Sequence, residues 1–381
     1  MRAIAAFAGL LIIAIVLLDA FETVVLPRRV QRSFRLTSWF YRHTWVPWAR
    51  LARHFNSVNR REAFLSYFGP LSLIVLLVIW AAGLIFGFAL LQYGGGEHIA
   101  FSNQPITFGG LLYHSGETFF TLGYGDIVPT SGFARSLAVM EAGMGFGFLG
   151  IVIGYLPVLY SSFSAREREI SLLDSRAGSP PTATELLKRL GCCPDQSTLD
   201  QAFRDWERWA AQLLESHLSY PVLSFFRSQH SNQSWLGALT LMLDVTALVL
   251  AGIDRIRPEQ AQLTFAMARH AAVDLAQVVN ASYNPHMIDR LSSADLTHLE
   301  KVLASYGLRL STDPEAEEKL RQLRSLYEPY LEGIGRNLLI ELPPWWREKQ
   351  KKDNWQTGPW DLAVQARSLE TLRIPARREH F

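Results

Sequence analysis

Cysteine is almost missing from this sequence. The two present among 381 residues, Cys192 and Cys193, are neighbours, which excludes a disulfide framework and leaves too few thiolates for a zinc cluster; a structural role is expected for both. Net charge is nearly missing as well, at +2, so the overall balance does not point to nucleic acid. Acidic residues are absent from Pro27 to Arg61, although nine arginines stand there, at positions 28, 29, 32, 35, 42, 50, 53, 60 and 61. Charge of either sign is absent from Ala3 to Leu18, from Ala63 to Gly96 and from Ala142 to Ala165. Soluble domains do not carry uncharged runs of this length. Phe68 to Leu91 alone is 24 residues, roughly 36 Å of helix against ~30 Å of hydrocarbon.

What is there therefore reads as an all-α membrane protein with three transmembrane helices. Residues 1–26 form the first, continuing past Asp19 and Glu22 to Leu26. An apolar run after Arg2 also fits a cleaved secretory signal. Cleavage would leave the arginine-rich stretch outside, against the tendency of arginine to stay on the cytoplasmic face. Retention is expected, with the N-terminus outside and Asp19 and Glu22 paired to the arginines from Arg28 onward. Residues 27–66 make a cytoplasmic or interfacial segment, where Trp39, Phe40, Tyr41, Trp45 and Trp48 among arginines suit a helix lying on anionic lipid. Arg29, Arg32 and Arg35 recur every third residue, as in a voltage sensor, but no long apolar helix carries them; voltage sensing is not expected.

Residues 67–165 read as one domain, with an outer helix over 67–92, a helix over 107–120 too short to cross, and an inner helix over 135–165. Such a re-entrant helix is tolerated at membrane depth only when protein surrounds it. Between the short helix and the inner one stands Thr121-Leu122-Gly123-Tyr124-Gly125-Asp126. Gly-Tyr-Gly-Asp alone makes ordinary turns. Here it is flanked by two uncharged spans, and glycines that accept positive φ let successive carbonyls turn toward one axis. A row of such oxygens can replace the water around a dehydrated cation.

The segment Thr118 to Asp126, with Glu117 before it and Pro129 and Arg135 after it, resembles the filter of pore-loop potassium channels. The likeness covers about 100 residues, Phe68 to Ala165. It implies potassium as the permeant ion, held at Thr121, Leu122, Gly123 and Tyr124, with Gly125 completing the filter; no other cofactor and no enzymatic activity are expected. It implies filter support from Tyr113, Glu117 and Asp126, the two carboxylates pairing behind the filter and Tyr113 donating to Asp126. Leu122 and Tyr124 are expected to point away from the axis into the packing around the pore helix. One loop per chain implies a homotetramer. Leu122 replaces the commoner valine or isoleucine, and Phe120 stands where relatives have a small hydroxyl residue facing the cavity.

The likeness also places Gly145 at the family's hinge, where close packing through a small residue is the alternative. Phe146, Leu149 and Ile153 would line an apolar cavity, and Pro157 removes a helix hydrogen bond. Glu141 is an ionisable group inside a membrane helix, either functional or merely bonded to the pore helix. A linker is expected over 166–182, then a helical cytoplasmic domain over 183–345 of unknown ligand, and an irregular tail over 346–381. In that domain Arg227, Gln229, His230, Asn232 and Gln233 read as a turn, and Trp235 to Ile253 as a buried helix with Asp244 paired inside, the alternative being a fourth span. No Gly-x-Gly-x-x-Gly follows a strand there, so nucleotide sensing is not expected. Two further functions stay open at this point: a membrane-anchored sensor or scaffold with a vestigial pore, and a subunit of an ion-coupled transporter, which usually carries four such loops in one chain.

Overall fold

The computed structural model describes residues 1–26, 35–96, 99–101, 107–191, 196–229, 232–283 and 289–347. Arg28, Arg29, Arg32, Cys192, Cys193, His230 and the tail from residue 348 lie outside the described residues. The described chain is all-α apart from one antiparallel pair of three-residue strands. It divides into two compact units, Met1–Phe163 with Ser216–Arg227, and Ser164–Glu215 with Ser228–Phe381.

The first unit contains α1 (Arg2–Ala20), which ends in a π turn at Phe21–Val25, then α2 (Leu36–Ala52), α3 (Val58–Ser66), α4 (Phe68–Gly95), β1 (Ile99–Phe101), α5 (Phe108–Phe119), β2 (Ile127–Pro129) and the first part of α6 (Gly132–Ala177). α1 lies along α4 at the closest approach two backbones allow. A Cβ on Gly9 would sit 2.5 Å from the Gly87 carbonyl oxygen, and one on Gly87 would sit 2.7 Å from Ile13. Between apolar helices in lipid, contact of this kind replaces the hydrophobic driving force. Gly9→Val must push the helices apart, and overpacking of this sort costs about 1–3 kcal/mol. Its thermal unfolding midpoint in detergent is expected below that of the parent; an unchanged midpoint would remove the backbone contact from the account.

Asp19 is buried at the C-terminal end of α1, and among the described residues its hydrogen-bond partners are not arginines. Its carboxylate accepts from the Thr37 backbone N–H at 3.2 Å, the Thr37 hydroxyl at 2.6 Å and the Trp80 indole N–H at 3.0 Å. It thus caps the first turn of α2 from outside that helix and ties α1 to α4. Three neutral donors satisfy a buried carboxylate without bringing a second desolvated charge. Glu22 does meet an arginine, Arg35, at 3.6 Å. Tyr41, Trp45 and Trp48 of α2 then pack their rings on Phe68 of α4, with Trp48 stacked on Phe64 at 4.5 Å and Tyr41 on Phe225 at 5.3 Å.

The second unit takes the rest of α6, then α7 (Ala183–Leu186), most of α8 (Ser197–Ser219), α9 (Trp235–Gly252), α10 (Glu259–Val278), α11 (Ser293–Ser305), α12 (Pro314–Ser325) and α13 (Glu328–Leu338). Two boundaries differ from the sequence reading. Residues 166–177 are helix rather than linker, because no glycine or proline stands between Arg166 and Gly178. The helical periodicity of Pro314 to Ile334 reads as one helix, but the chain forms two there, parted at Tyr327, since Pro329 lacks the N–H of a helix interior and sits instead in the first turn of α13.

Among the described residues four helical stretches are long and apolar enough to cross a membrane: Arg2–Val25, Val58–Gly95, Gly132–Ala177 and Trp235–Gly252. The last differs in kind, being 89% buried within the chain. α7, α10, α12 and α13 pack around it. Asp244 on this helix accepts from the Arg290 guanidinium at 2.8 and 3.1 Å and from the Tyr327 hydroxyl at 2.8 Å. Burial pulls the Arg290 guanidinium down, but the Asp244 and Glu328 carboxylates outweigh it and hold its pKa above the ordinary value. Burial, reinforced by the charge on Asp244, keeps the Tyr327 phenol protonated far above its usual range. With these partners α9 is a helix buried within its own unit.

Candidate functional site

Thr107 opens α5 as its N-cap, accepting from the Gly110 N–H at 3.2 Å. The helix closes at Phe120, whose N–H bonds to the Gly116 carbonyl at 3.0 Å, and the chain then bonds back twice more, from the Thr121 N–H to the Thr118 carbonyl at 3.0 Å and from the Leu122 N–H to the Glu117 carbonyl at 2.8 Å. From there the backbone runs free to β2. Thr121, Gly123 and Gly125 have φ of +55°, +63° and +77°, while Leu122 and Tyr124 between them do not. In an ordinary extended strand successive carbonyls point to opposite sides. Alternating the sign of φ cancels that alternation and turns them to one side, which requires residues able to occupy the left-handed region.

Among the described residues no donor meets the carbonyls of Thr121, Leu122, Gly123 or Tyr124. Backbone oxygens without donors are free to coordinate a cation. No cluster of three or more His, Cys, Asp and Glu that could hold a metal ion occurs among the described residues; the oxygen row is of another kind.

The supporting residues are arranged differently from the expectation at one point. Tyr113 stands near Asp126, whose carboxylate accepts from the Ile127 N–H at 3.1 Å. Glu117, however, turns to His114, with Oε1 lying 3.0 Å from Nδ1 and both side chains buried. One helical turn separates these two on α5, so the local partner wins over a carboxylate beyond the filter, which would repel it. Within one chain Glu117 Oε2 and His114 Nε2 find no partner.

Leu122 and Tyr124 do not pack on their own pore helix either, remaining 55% and 68% exposed in a single chain. The inward face of α5 is already filled by Leu111, Ser115 and Phe119. Phe120, Phe146, Leu149 and Ile153 share this exposure, and so do Val139 and Met140. An apolar surface of this extent, continuous along the loop and α6, is not left to water.

Gly145 abuts α5, for a Cβ there would run into the Phe119 carbonyl, whereas Gly143, Gly147, Gly150 and Gly154 have nothing near a Cβ within one chain. Packing therefore belongs to Gly145 and not, inside a protomer, to the other four. α6 continues through Pro157. Glu141, fully buried, contacts the Ser115 hydroxyl of α5 and accepts from Gln92 Nε2 of α4 at 3.2 Å. The sequence reading missed His114, Ser115 and Gln92. The available signal was polarity out of place: Gln92 is the single amide of α4, and His114 stands three residues before Glu117.

Comparison with known proteins agrees with this geometry at a coarser level. Residues 73–161 match the family model described as an ion channel. The chain is also 26% identical over 223 residues to the uncharacterized membrane protein YdjJ of Bacillus subtilis (strain 168), a stretch covering 58% of this chain and 64% of that protein, less than two thirds of its length. No solved structure matches. The family match supports an ion-channel domain in a membrane protein and points to transport rather than catalysis.

Proposed function

We propose that the chain is one subunit of a potassium-selective channel, in which four copies close around one axis and ions pass down their gradient. The observation that carries this reading is the loop Thr121 to Tyr124, whose alternating φ leaves four carbonyl oxygens without donors. Potassium fits because a ring of such carbonyls from each copy replaces its hydration shell. The uncovered side chains of Leu122, Tyr124, Phe146 and Ile153 support a closed homotetramer, since a pore needs walls on every side and one loop supplies a quarter of them. Phe146, Leu149 and Ile153 then face the inner cavity below Phe120 and gate it by closing or dewetting.

In the same proposal the arginine-rich segment 27–66 rests on anionic lipid at the inner face. The second unit then lies in the cytoplasm and modulates gating through a ligand of unassigned identity. The permeant ion is the only small ligand invoked, and nucleic acid is not a partner.

The test is a bilayer recording of the purified full chain with potassium on one side and sodium on the other. The current is expected to reverse close to the potassium equilibrium potential. Reversal near zero, with both ions passing, would overturn selectivity. Absence of current under every condition would favour the sensor or scaffold reading instead.

A further inference from the structure

The contacts of Glu141 can be counted in hydrogens. Ser115 Oγ lies 2.7 Å from the Ile85 carbonyl oxygen and in hydrogen-bonding contact with Glu141 Oε1. Two oxygens this close repel unless a hydrogen lies between them, so two contacts need two hydrogens. A serine hydroxyl carries one and a carbonyl carries none. If Ser115 gives its hydrogen to Ile85, the other must come from Glu141; if it gives it to Glu141, the Ile85 contact is left with two facing lone pairs. The arrangement that gives both contacts of Ser115 a hydrogen is a carboxylic acid at Glu141, donating to Ser115, which donates to Ile85, while Glu141 Oε2 accepts from the Gln92 amide nitrogen.

The surroundings fit a neutral acid. Facing Glu141 are the Gln92 amide from α4 and the Ser115 hydroxyl from α5. On α6 the residues one turn away are Leu137, Ala138, Met144 and Gly145, all apolar. Of the ionisable groups beside Ser115 on α5, His114 is engaged with Glu117, and Tyr113 is exposed and stands near Asp126. Arg135, earlier on α6, donates to the Pro129 carbonyl at 3.2 Å. Among the described residues a charge at this place in a membrane helix has no counter-ion in hydrogen-bonding reach.

We propose that Glu141 is a positioning residue of the pore, held as a neutral acid, whose proton fastens the inner helix to the pore helix and the outer helix; loss of that proton releases the pore helix and closes the filter. The proposal rests on the channel reading and adds a proton-controlled regulation to it. Glu141 lies one turn before Gly145, where α6 touches the Phe119 carbonyl at the end of α5, so the tie at Ser115 and the glycine contact hold successive turns at the C-terminal end of the same short helix. The tie is intact on the acid side, and conduction falls as pH rises.

E141Q separates the neutral acid from a carboxylate, because its amide nitrogen can donate to Ser115 and its oxygen accept from Gln92. In bilayers the parent's open probability is expected to fall about tenfold as the bath is taken from about pH 7 to about pH 10. E141Q is expected to conduct as the parent does at neutral pH and to keep that level at alkaline pH, while E141A conducts poorly throughout. E141Q retains Tyr113, His114, Glu117, Tyr124 and Asp126, so an alkaline fall that survives in it belongs to those groups and overturns the assignment. E141Q behaving as E141A would overturn it too, since a carboxylate would then be required. A second readout does not depend on flux. The infrared spectrum of the parent minus that of E141Q at neutral pH should show the carbonyl stretch of a protonated carboxyl. Its absence sinks the proposal even if potassium flux is intact; its presence without flux keeps the neutral acid and sinks the channel reading.

Discussion

Gly123→Ala is expected to abolish selective potassium flux into vesicles while the protein still assembles. Gly123 has φ of +63°, with nothing near the place of a Cβ, so the effect of alanine there is one of backbone conformation rather than of space. An L-residue in the left-handed region costs roughly 1–2 kcal/mol. In a tetramer the loop is repeated four times, and the cost of holding every carbonyl toward the axis is then about 4–8 kcal/mol. That is about a thousandfold or more fewer correctly formed filters. Gly123→Asp should do the same and add a charge beside the ion path. Gly147→Ala is the matched control: that glycine also has open space but lies inside α6 without positive φ, where alanine is the better helix former. The expected result is a flux lost in Gly123→Ala, retained in Gly147→Ala, with equal elution volumes on size exclusion. Parent-like selectivity in Gly123→Ala would mean that the loop does not select by its carbonyl row.

Much of this site was legible because its determinants are local. The spacing of Gly123 and Gly125 dictates where positive φ is cheap, and an uncharged run such as Ala63 to Gly96 has few uses outside a bilayer. Thr121 was not legible in this way. A β-branched residue rarely takes a φ of +55°, and only its place between the end of α5 and the first filter glycine puts it there. Partner choice was the other blind spot. Family likeness directs Glu117 to Asp126, while the chain's own His114, one turn away, takes it. Asp19 has Thr37 and Trp80 as partners among the described residues; a sequence shows which groups must be satisfied but not which neutral donors the fold brings near. The continuation of α6 past Arg166 could have been read from the lack of any breaker before Gly178. The change in composition drew attention instead to a domain boundary that the helix ignores.

Arg290→Met is expected to unfold the second unit in far less urea than the parent needs, and the reason bears on what α9 is. Composition alone lets Trp235–Gly252 cross a bilayer. Asp244 decides against it through its partners: Arg290, gripping both carboxylate oxygens, and Tyr327. Arg290 also reaches Glu328 at 3.2 Å and the Pro343 carbonyl at 3.0 Å, and Arg324 binds Glu328 and Asp289. Removing one member of a buried pair strands the other, at about 3–5 kcal/mol. Removing both need cost little, because apolar side chains fill the space without desolvating a charge. The double variant Asp244→Leu with Arg290→Met should therefore be more stable than Arg290→Met alone, a non-additivity that only direct contact produces. Urea unfolding of the full chain in detergent, followed by far-ultraviolet circular dichroism, measures both. If Arg290→Met unfolds with the parent, the carboxylate of Asp244 is not buried against that guanidinium, the enclosure of α9 loses its electrostatic basis, and a fourth span returns with the remainder of the chain on the opposite side of the membrane.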